Sequence, residues 1–239
     1  MKAILFAAGL GTRLFPLTKD KPKALVEING TPLLEIAIRH LTKAGIEEII
    51  VNVHHFGNQI IDFLDSKFGH LNIRISDERD KLLETGGGLR KAAPLLGNDA
   101  FLAMNADILS NIDIPSFIRY HEEQGGLATL AVRNRDSSRN LLFDDKLNLC
   151  GWQNNKTGEK RMSRNHPNPI ALSFSGIQII HPKIFNFMPI AEKFSIIDVY
   201  LAAAQTEKII AYRHDEDIWL DVGKLDAIKK AEQIEQLLQ

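Results

Sequence analysis

Apolar runs of strand length alternate with stretches in which apolar residues recur every three or four positions. Lys2 to Ala8 reads as a buried strand that opens into Gly9-Leu10-Gly11. Thr31-Pro32 predicts a helix N-cap with proline at the first helical position, Leu33, Ala37, Leu41 and Ala44 follow at helical spacing, and Gly45 suits the stop. Glu48 to Val53 is the next expected strand, and Ile60, Ile61, Leu64 and Phe68 mark a second amphipathic helix. Leu71 to Ser76, Phe101 to Asn105 and Leu127 to Val132 read as further strands. This alternation predicts an α/β fold: a single-domain, Rossmann-like mixed sheet, mostly parallel, flanked by helices. In such sheets ligands bind at the carboxyl ends of strands.

The texture changes after Arg133. Leu141-Leu142-Phe143 and Leu147 to Trp152 form an expected hairpin around Asp144-Asp145-Lys146. Asn154 to Asn168 is polar and without period, which fits a lid or a plain surface insertion. Ala171 to Ile180 returns to strand character, and Ser195-Ile196-Ile197-Asp198 resembles a capping box opening a helix. Ile209 to Tyr212 and Ile218 to Val222 are short expected strands, and Leu225, Ile228, Ala231, Ile234 and Leu238 mark a last helix. No internal repeat or linker divides the 239 residues.

Composition narrows the class. The chain is 44% hydrophobic and 25% charged, as expected of one globular domain. Cys150 is the only cysteine, which excludes an internal disulfide and a cysteine-rich zinc site and fits the cytoplasm. A net charge of -1, with no basic stripe bearing aromatics, gives no support to a nucleic-acid partner. Neither a signal pattern nor a bilayer-length apolar run occurs, so no membrane association is expected. Nucleophilic catalysis lacks its motif, and the eight histidines lack metalloprotease spacing.

The most informative stretch is Ala7-Ala8-Gly9-Leu10-Gly11-Thr12-Arg13, followed by Lys21-Pro22-Lys23. Glycines where a strand opens into a loop let backbone N–H groups approach phosphates, and Arg13 and Lys23 add charged donors. A dinucleotide fingerprint would need glycine where Leu14 stands, and a phosphate loop of the Walker type would need Gly-Lys-Ser/Thr. The pattern G-x-G-T-R followed by K-P-K resembles the sugar-1-phosphate nucleotidyltransferases, and the likeness is densest from Met1 to Asp107.

That resemblance implies the nucleotide-diphospho-sugar transferase fold and a reaction joining a nucleoside triphosphate to a sugar 1-phosphate. Residues 1–133 would form the nucleotide-binding half, and residues 134–239 the sugar-binding half with the C-terminal helix. The Gly9–Arg13 loop would wrap the triphosphate and Lys23 would contact phosphate near the reacting phosphorus. Ala8, Gly9, Gly11, Thr12, Arg13, Lys23 and Asn105 are nucleotide-binding candidates, joined by Glu84, Thr85 and Gly86 of a glycine-rich segment before a helix. Asp107 and Asp221, each closing an apolar strand, are the candidate Mg²⁺ ligands and, with Arg13 and Lys23, the catalytic set. Asn140, Ser175 and Gly176 are the sugar-side candidates. The family's Glu-Lys-Pro motif, whose lysine holds the sugar phosphate, is absent.

The form Glu84-Thr85-Gly86-Gly87-Gly88 in a short chain resembles the branch that uses UTP and N-acetylmuramate 1-phosphate in peptidoglycan recycling. Alternatives are guanylyl transfer to mannose or heptose 1-phosphate, a cytidylyltransferase, and a non-catalytic nucleotide-sugar-binding regulator. Retention of Arg13, Lys23, Asp107 and Asp221 argues against the last.

Overall fold

The computed structural model describes residues 1–238; Gln239, the last residue of the expected domain, lies outside them. The chain runs β1 (Lys2–Phe6), β2 (Glu27–Ile28), β3 (Thr31–Pro32), α1 (Leu33–Lys43), β4 (Glu48–Val53), α2 (Gly57–Phe68), β5 (Asn72–Asp77), α3 (Glu84–Leu96), β6 (Phe101–Asn105) and β7 (Ile108–Ser110). It continues α4 (Ile114–Gln124), β8 (Ala128–Arg133), β9 (Arg139–Phe143), β10 (Leu149–Asn154), β11 (Lys160–Met162), β12 (Ile170–Ile180), α5 (Ile196–Ala203), β13 (Ile209–Arg213), β14 (Trp219–Asp221) and α6 (Ile228–Leu238).

Strands β5, β4, β1 and β6 lie side by side and parallel. The chain leaves β1 toward β4 on one side and later returns to pair β6 on the other, so β1 is the topological switch point. Beyond β6 the sheet turns antiparallel through the long strand β12, which also pairs β8 and β9. The second half is thus a hairpin system grafted onto a parallel sheet.

Burial on both faces gives the central strands two apolar sides. Ala3 and Leu5 of β1 join Ile49 and Val51 against Leu34, Ile38 and Leu41 of α1 and Ile60 and Leu64 of α2. Ile4 and Ile50 point the other way, into a layer with Leu89 and Leu96 of α3 and Val199 and Tyr200 of α5. A smaller cluster of Leu14, Ile28, Leu33, Leu109, Val222 and Ala231 packs the turn after β1 against α6. Among the described residues no helix is long and apolar enough to cross a membrane.

Four expectations are corrected. Thr31-Pro32 is a short strand paired with β2 rather than a helix cap, because the Leu33 N–H donates to the Val26 carbonyl at 3.0 Å. Asn154 to Asn168 is partly ordered pairing: β11 adds an antiparallel edge strand to β10, with Arg161 over the Trp152 ring and donating to Asp198 of α5. Ser195 caps α5 by accepting from the Ile197 N–H at 3.2 Å, while Asp198 turns to Arg161 instead of closing a capping box. The glycines 86–88 lie inside the first turns of α3 rather than before it.

Candidate active site

A cleft of about 430 Å³ opens at the carboxyl ends of β1 and β6, beside the switch point. Its floor is the loop after β1. The Ala7 N–H donates to Asn52 Oδ1 at 2.7 Å, and Asn52 Nδ2 donates to Glu78 Oε1 at 2.7 Å, so a buried polar chain from β4 and the residue after β5 anchors the loop. Gly11 has φ +67°, and an added Cβ would lie 2.9 Å from Thr18 Cγ2 and 3.0 Å from Lys23 Cβ; both the conformation and the space call for glycine. At Gly9 a Cβ would meet nothing within 4 Å, leaving that face open to the cleft. Leu14, fully buried, pins the turn that follows.

The charged side chains meet at one end of this cleft. Lys23 Nζ donates to Asp107 Oδ2, and both side chains are largely withdrawn from solvent. Asp107 and Asp221 are brought together by the pairing of β14 with β7, extended by the Val222 N–H donating to the Asp107 carbonyl at 2.9 Å. Surrounding protein and then the Asp107 charge raise the Asp221 carboxyl above the usual carboxylate range, against Lys23, Arg13 and Arg135. Arg13 arrives beside Asp221 across Gly223, where a Cβ would lie 2.7 Å from Asp221 Oδ1 and 3.1 Å from the Arg13 Nη2. Arg13 and Lys23 offer an anion charged donors in the cleft, and Asp107 and Asp221 could hold a cation between them.

Ala8, Gly9, Gly11, Thr12, Arg13, Lys23, Glu84, Thr85, Asn105 and Asp107 all line the cleft. Glu84 begins α3 at φ +62°, a strained position for a residue other than glycine. Gly86 does not line the cleft. Its added Cβ would lie 2.4 Å from the Phe194 ring, that of Gly87 2.2 Å from the Glu192 carbonyl oxygen, and that of Gly88 2.5 Å from Glu78 Oε1. The glycine run therefore lets α3 sit tightly on the segment before α5 and on Glu78.

The sugar-side candidates are arranged behind the cleft. Asn140 and Ser175 are buried, Asn140 Nδ2 donating to Ser173 Oγ at 3.0 Å and Ser175 Oγ sharing a 2.7 Å hydrogen bond with His214 Nε2. Gly176, at φ +75°, makes room for Asn105, whose Nδ2 would stand 2.8 Å from an added Cβ. None of the three lines the cleft. The residues that sequence reasoning missed are Asn52, Glu78 and Arg135. Asn52 had a signal, a polar residue inside the apolar run Ile49-Ile50-Val51-Asn52-Val53, and buried polar groups are the informative kind.

Comparisons with known proteins agree with this geometry. The nucleotidyl transferase family profile matches residues 2–140. The N-acetylmuramate alpha-1-phosphate uridylyltransferase of Neisseria meningitidis serogroup B is 32% identical over 97% of this chain and 97% of its own. The enzyme of that name from Caulobacter vibrioides is 44% identical over 44% of this chain and 45% of its own. UDP-glucose pyrophosphorylase from Acinetobacter baumanii shares the fold, with a TM-score of 0.79 at 20% identity, covering 99% of this chain and 98% of that one. With the family profile matching more than half of its residues and a full-length relative at this identity, the chain belongs to the nucleotidyl transferase family.

Proposed function

We propose that this chain transfers the uridylyl group of UTP to N-acetylmuramate 1-phosphate, forming the UDP-sugar and pyrophosphate, as a cytoplasmic step of peptidoglycan recycling. The observation that supports the reaction is the gathering of Arg13, Lys23 and Asp107 in the lining of the cleft, with Asp221 brought next to Asp107 by the pairing of β14 with β7. The full-length likeness to the Neisseria uridylyltransferase supports the substrate pair.

An oxygen of the sugar phosphate attacks the α-phosphorus in line, and the bond to the β-phosphate oxygen breaks. The nucleophile needs no protein base, since a phosphate monoester with a second pKa of ~6 is already anionic. Catalysis then rests on holding two polyanions together and neutralising charge on the transferring group. In this reading Lys23 moves its ammonium between Asp107 and the α-phosphate, and Arg13 holds the departing pyrophosphate. Residues 1–133 supply the nucleotide side, and residues 134–239 the sugar side.

Asp107 and Asp221 fit Mg²⁺: two adjacent carboxylates, each raising the other's need for positive charge, with no third acidic or histidine ligand gathered among the described residues. When bound there, the ion would supply Lewis-acid neutralisation of phosphate charge.

A matrix of nucleoside triphosphates against sugar 1-phosphates, read by pyrophosphate release, tests the pair. UTP should exceed CTP and GTP by well over ~10-fold in kcat/KM, because a site that hydrogen-bonds a base edge leaves its own groups unsatisfied with the wrong base. The muramate ester should exceed hexose phosphates that lack its lactyl carboxylate. Higher kcat/KM with GTP and mannose or heptose 1-phosphate would replace this pair with a guanylyl one.

A further inference from the structure

Asp221 feels three cations, Lys23, Arg13 and Arg135. The first two belong to the loop and turn after β1. Arg135 comes from the segment between β8 and β9. Its guanidinium carbon stands 4.5 Å from the centroid of the Trp219 ring. Trp219 precedes Asp221 by two residues on β14, so the two side chains share a face of that strand.

Arg135 is held firmly but used poorly. Trp219 is fixed by its Nε1–H donating to the Ser175 carbonyl at 2.9 Å. The Arg135 carbonyl accepts from Ser173 Oγ at 3.1 Å, and Ser173 is braced in turn by Asn140. The guanidinium, by contrast, reaches only the carbonyls of Asp136 and Phe174, at 3.4 and 3.3 Å, and its buried Nε has no hydrogen-bond partner. Arg133 differs: it lies farther from the same ring, at 5.9 Å, and donates to the carbonyls of Asp217 and Asp215 at 3.2 and 3.0 Å. The Arg135 guanidinium thus keeps donor capacity that the protein leaves unused, and its planar fork suits an oxyanion.

We propose that Arg135 grips the phosphate of the sugar 1-phosphate, the attacking group, from its seat on the Trp219 ring. Arg135 thereby becomes a substrate-binding residue, while Trp219, Ser173 and Asn140 are positioning residues for it. This rests on the reading of the cleft as a site for a nucleoside triphosphate and a sugar 1-phosphate.

The test is steady-state pyrophosphate release by wild type, Arg135→Lys and Arg135→Ala, with thermal melts to show that each variant is folded. Arg135→Ala should raise the KM for the sugar 1-phosphate roughly 10- to 100-fold, the scale of a lost charge-assisted bond, and leave the KM for UTP nearly unchanged. Arg135→Lys should fall between, and added guanidinium should restore part of the Arg135→Ala rate, which a merely structural loss would not permit. N-acetylmuramate 1-phosphate and N-acetylglucosamine 1-phosphate are compared, because only the first carries a second anion, its carboxylate. Equal losses with both place Arg135 on the phosphate; a loss confined to the muramate ester overturns the assignment, as does an unchanged acceptor KM or an equal rise in both KM values. Wild-type protein that releases no pyrophosphate with any sugar 1-phosphate would overturn the reading beneath it instead.

Discussion

Acidification should loosen the buried seam behind the sugar-side wall through one imidazole. His214 is 4% exposed, its Nε2 shares the hydrogen bond with Ser175 Oγ, and its Nδ1 has no hydrogen-bond partner. Burial, and then the Arg133 charge, push its pKa down from 6.5 to about 4, with Asp215 opposing. The Asp217 carboxylate lies 3.5 Å from Nδ1 but is itself pushed toward its neutral form by burial, so it does little to hold a proton on the ring. The unfolded chain accepts a proton at this histidine below pH ~6.5, whereas the folded chain refuses it until far lower. The stabilisation is complete above about pH 6.5 and is lost progressively as the pH falls toward 4. Linkage between these two values amounts to about 2 kcal/mol by pH ~5. That is a substantial part of the ~5–15 kcal/mol that holds an ordinary domain.

Urea unfolding followed by tryptophan fluorescence at about pH 8 and about pH 5 measures this, with His214→Gln as the reference. Glutamine reaches Ser175 with its amide and does not titrate. Comparing each protein with itself cancels the intrinsic cost of the substitution, and the difference between the two proteins then cancels the titration of groups distant from His214. Wild type should lose about 2 kcal/mol more than His214→Gln on acidification. Equal losses in the two proteins would refute the claim that His214 is held neutral.

The remaining predictions concern the cleft. Asp107→Asn and Asp221→Asn should each lower kcat by roughly 10²–10³ at saturating Mg²⁺ while the melting temperature holds, and near-full turnover in either would remove that aspartate from the site. Lys23→Ala should depress kcat more than nucleotide affinity, since its ammonium serves charge that builds in the transition state, whereas Arg13→Ala should weaken both; unchanged kinetics in both would remove the phosphate-loop reading. Gly87→Ala sets two effects against each other: alanine gains up to ~1 kcal/mol of helix propensity, but a Cβ 2.2 Å from the Glu192 carbonyl oxygen imposes overpacking worth ~1–3 kcal/mol. Net destabilisation in urea is expected, and net stabilisation would show that the glycine is spare.

The parallel half of the fold was legible because each strand carries its own signal. Ala3 and Leu5 against Ile4, or Ile49 and Val51 against Ile50, state two buried faces without reference to anything distant. Asp107 and Asp221 were legible as carboxylates closing apolar strands, and Arg13 and Lys23 by their spacing from two glycines. What escaped was settled by partners far along the chain. Nothing near Gly86 and Gly87 announces Phe194 and Glu192, the groups that demand their missing Cβ atoms. Arg133-Asn134-Arg135-Asp136 is uniformly polar, and only the placement of Trp219 and Ser173 separates the satisfied arginine from the unsatisfied one. The strand Lys160–Met162 is too short and too exposed to leave a hydrophobic period, so edge pairing alone defines it.

The most direct measurement follows the atoms. N-acetylmuramate 1-phosphate carrying ¹⁸O in its non-bridging phosphate oxygens is incubated with UTP, Mg²⁺ and the protein, and the products are resolved by mass spectrometry. Attack of the sugar phosphate on the α-phosphorus predicts UDP-N-acetylmuramate that retains all the label, formed one-to-one with unlabelled pyrophosphate, and formed roughly 10²–10³ times more slowly by Asp107→Asn. Labelled pyrophosphate, or pyrophosphate released with UMP and no sugar nucleotide, would contradict it.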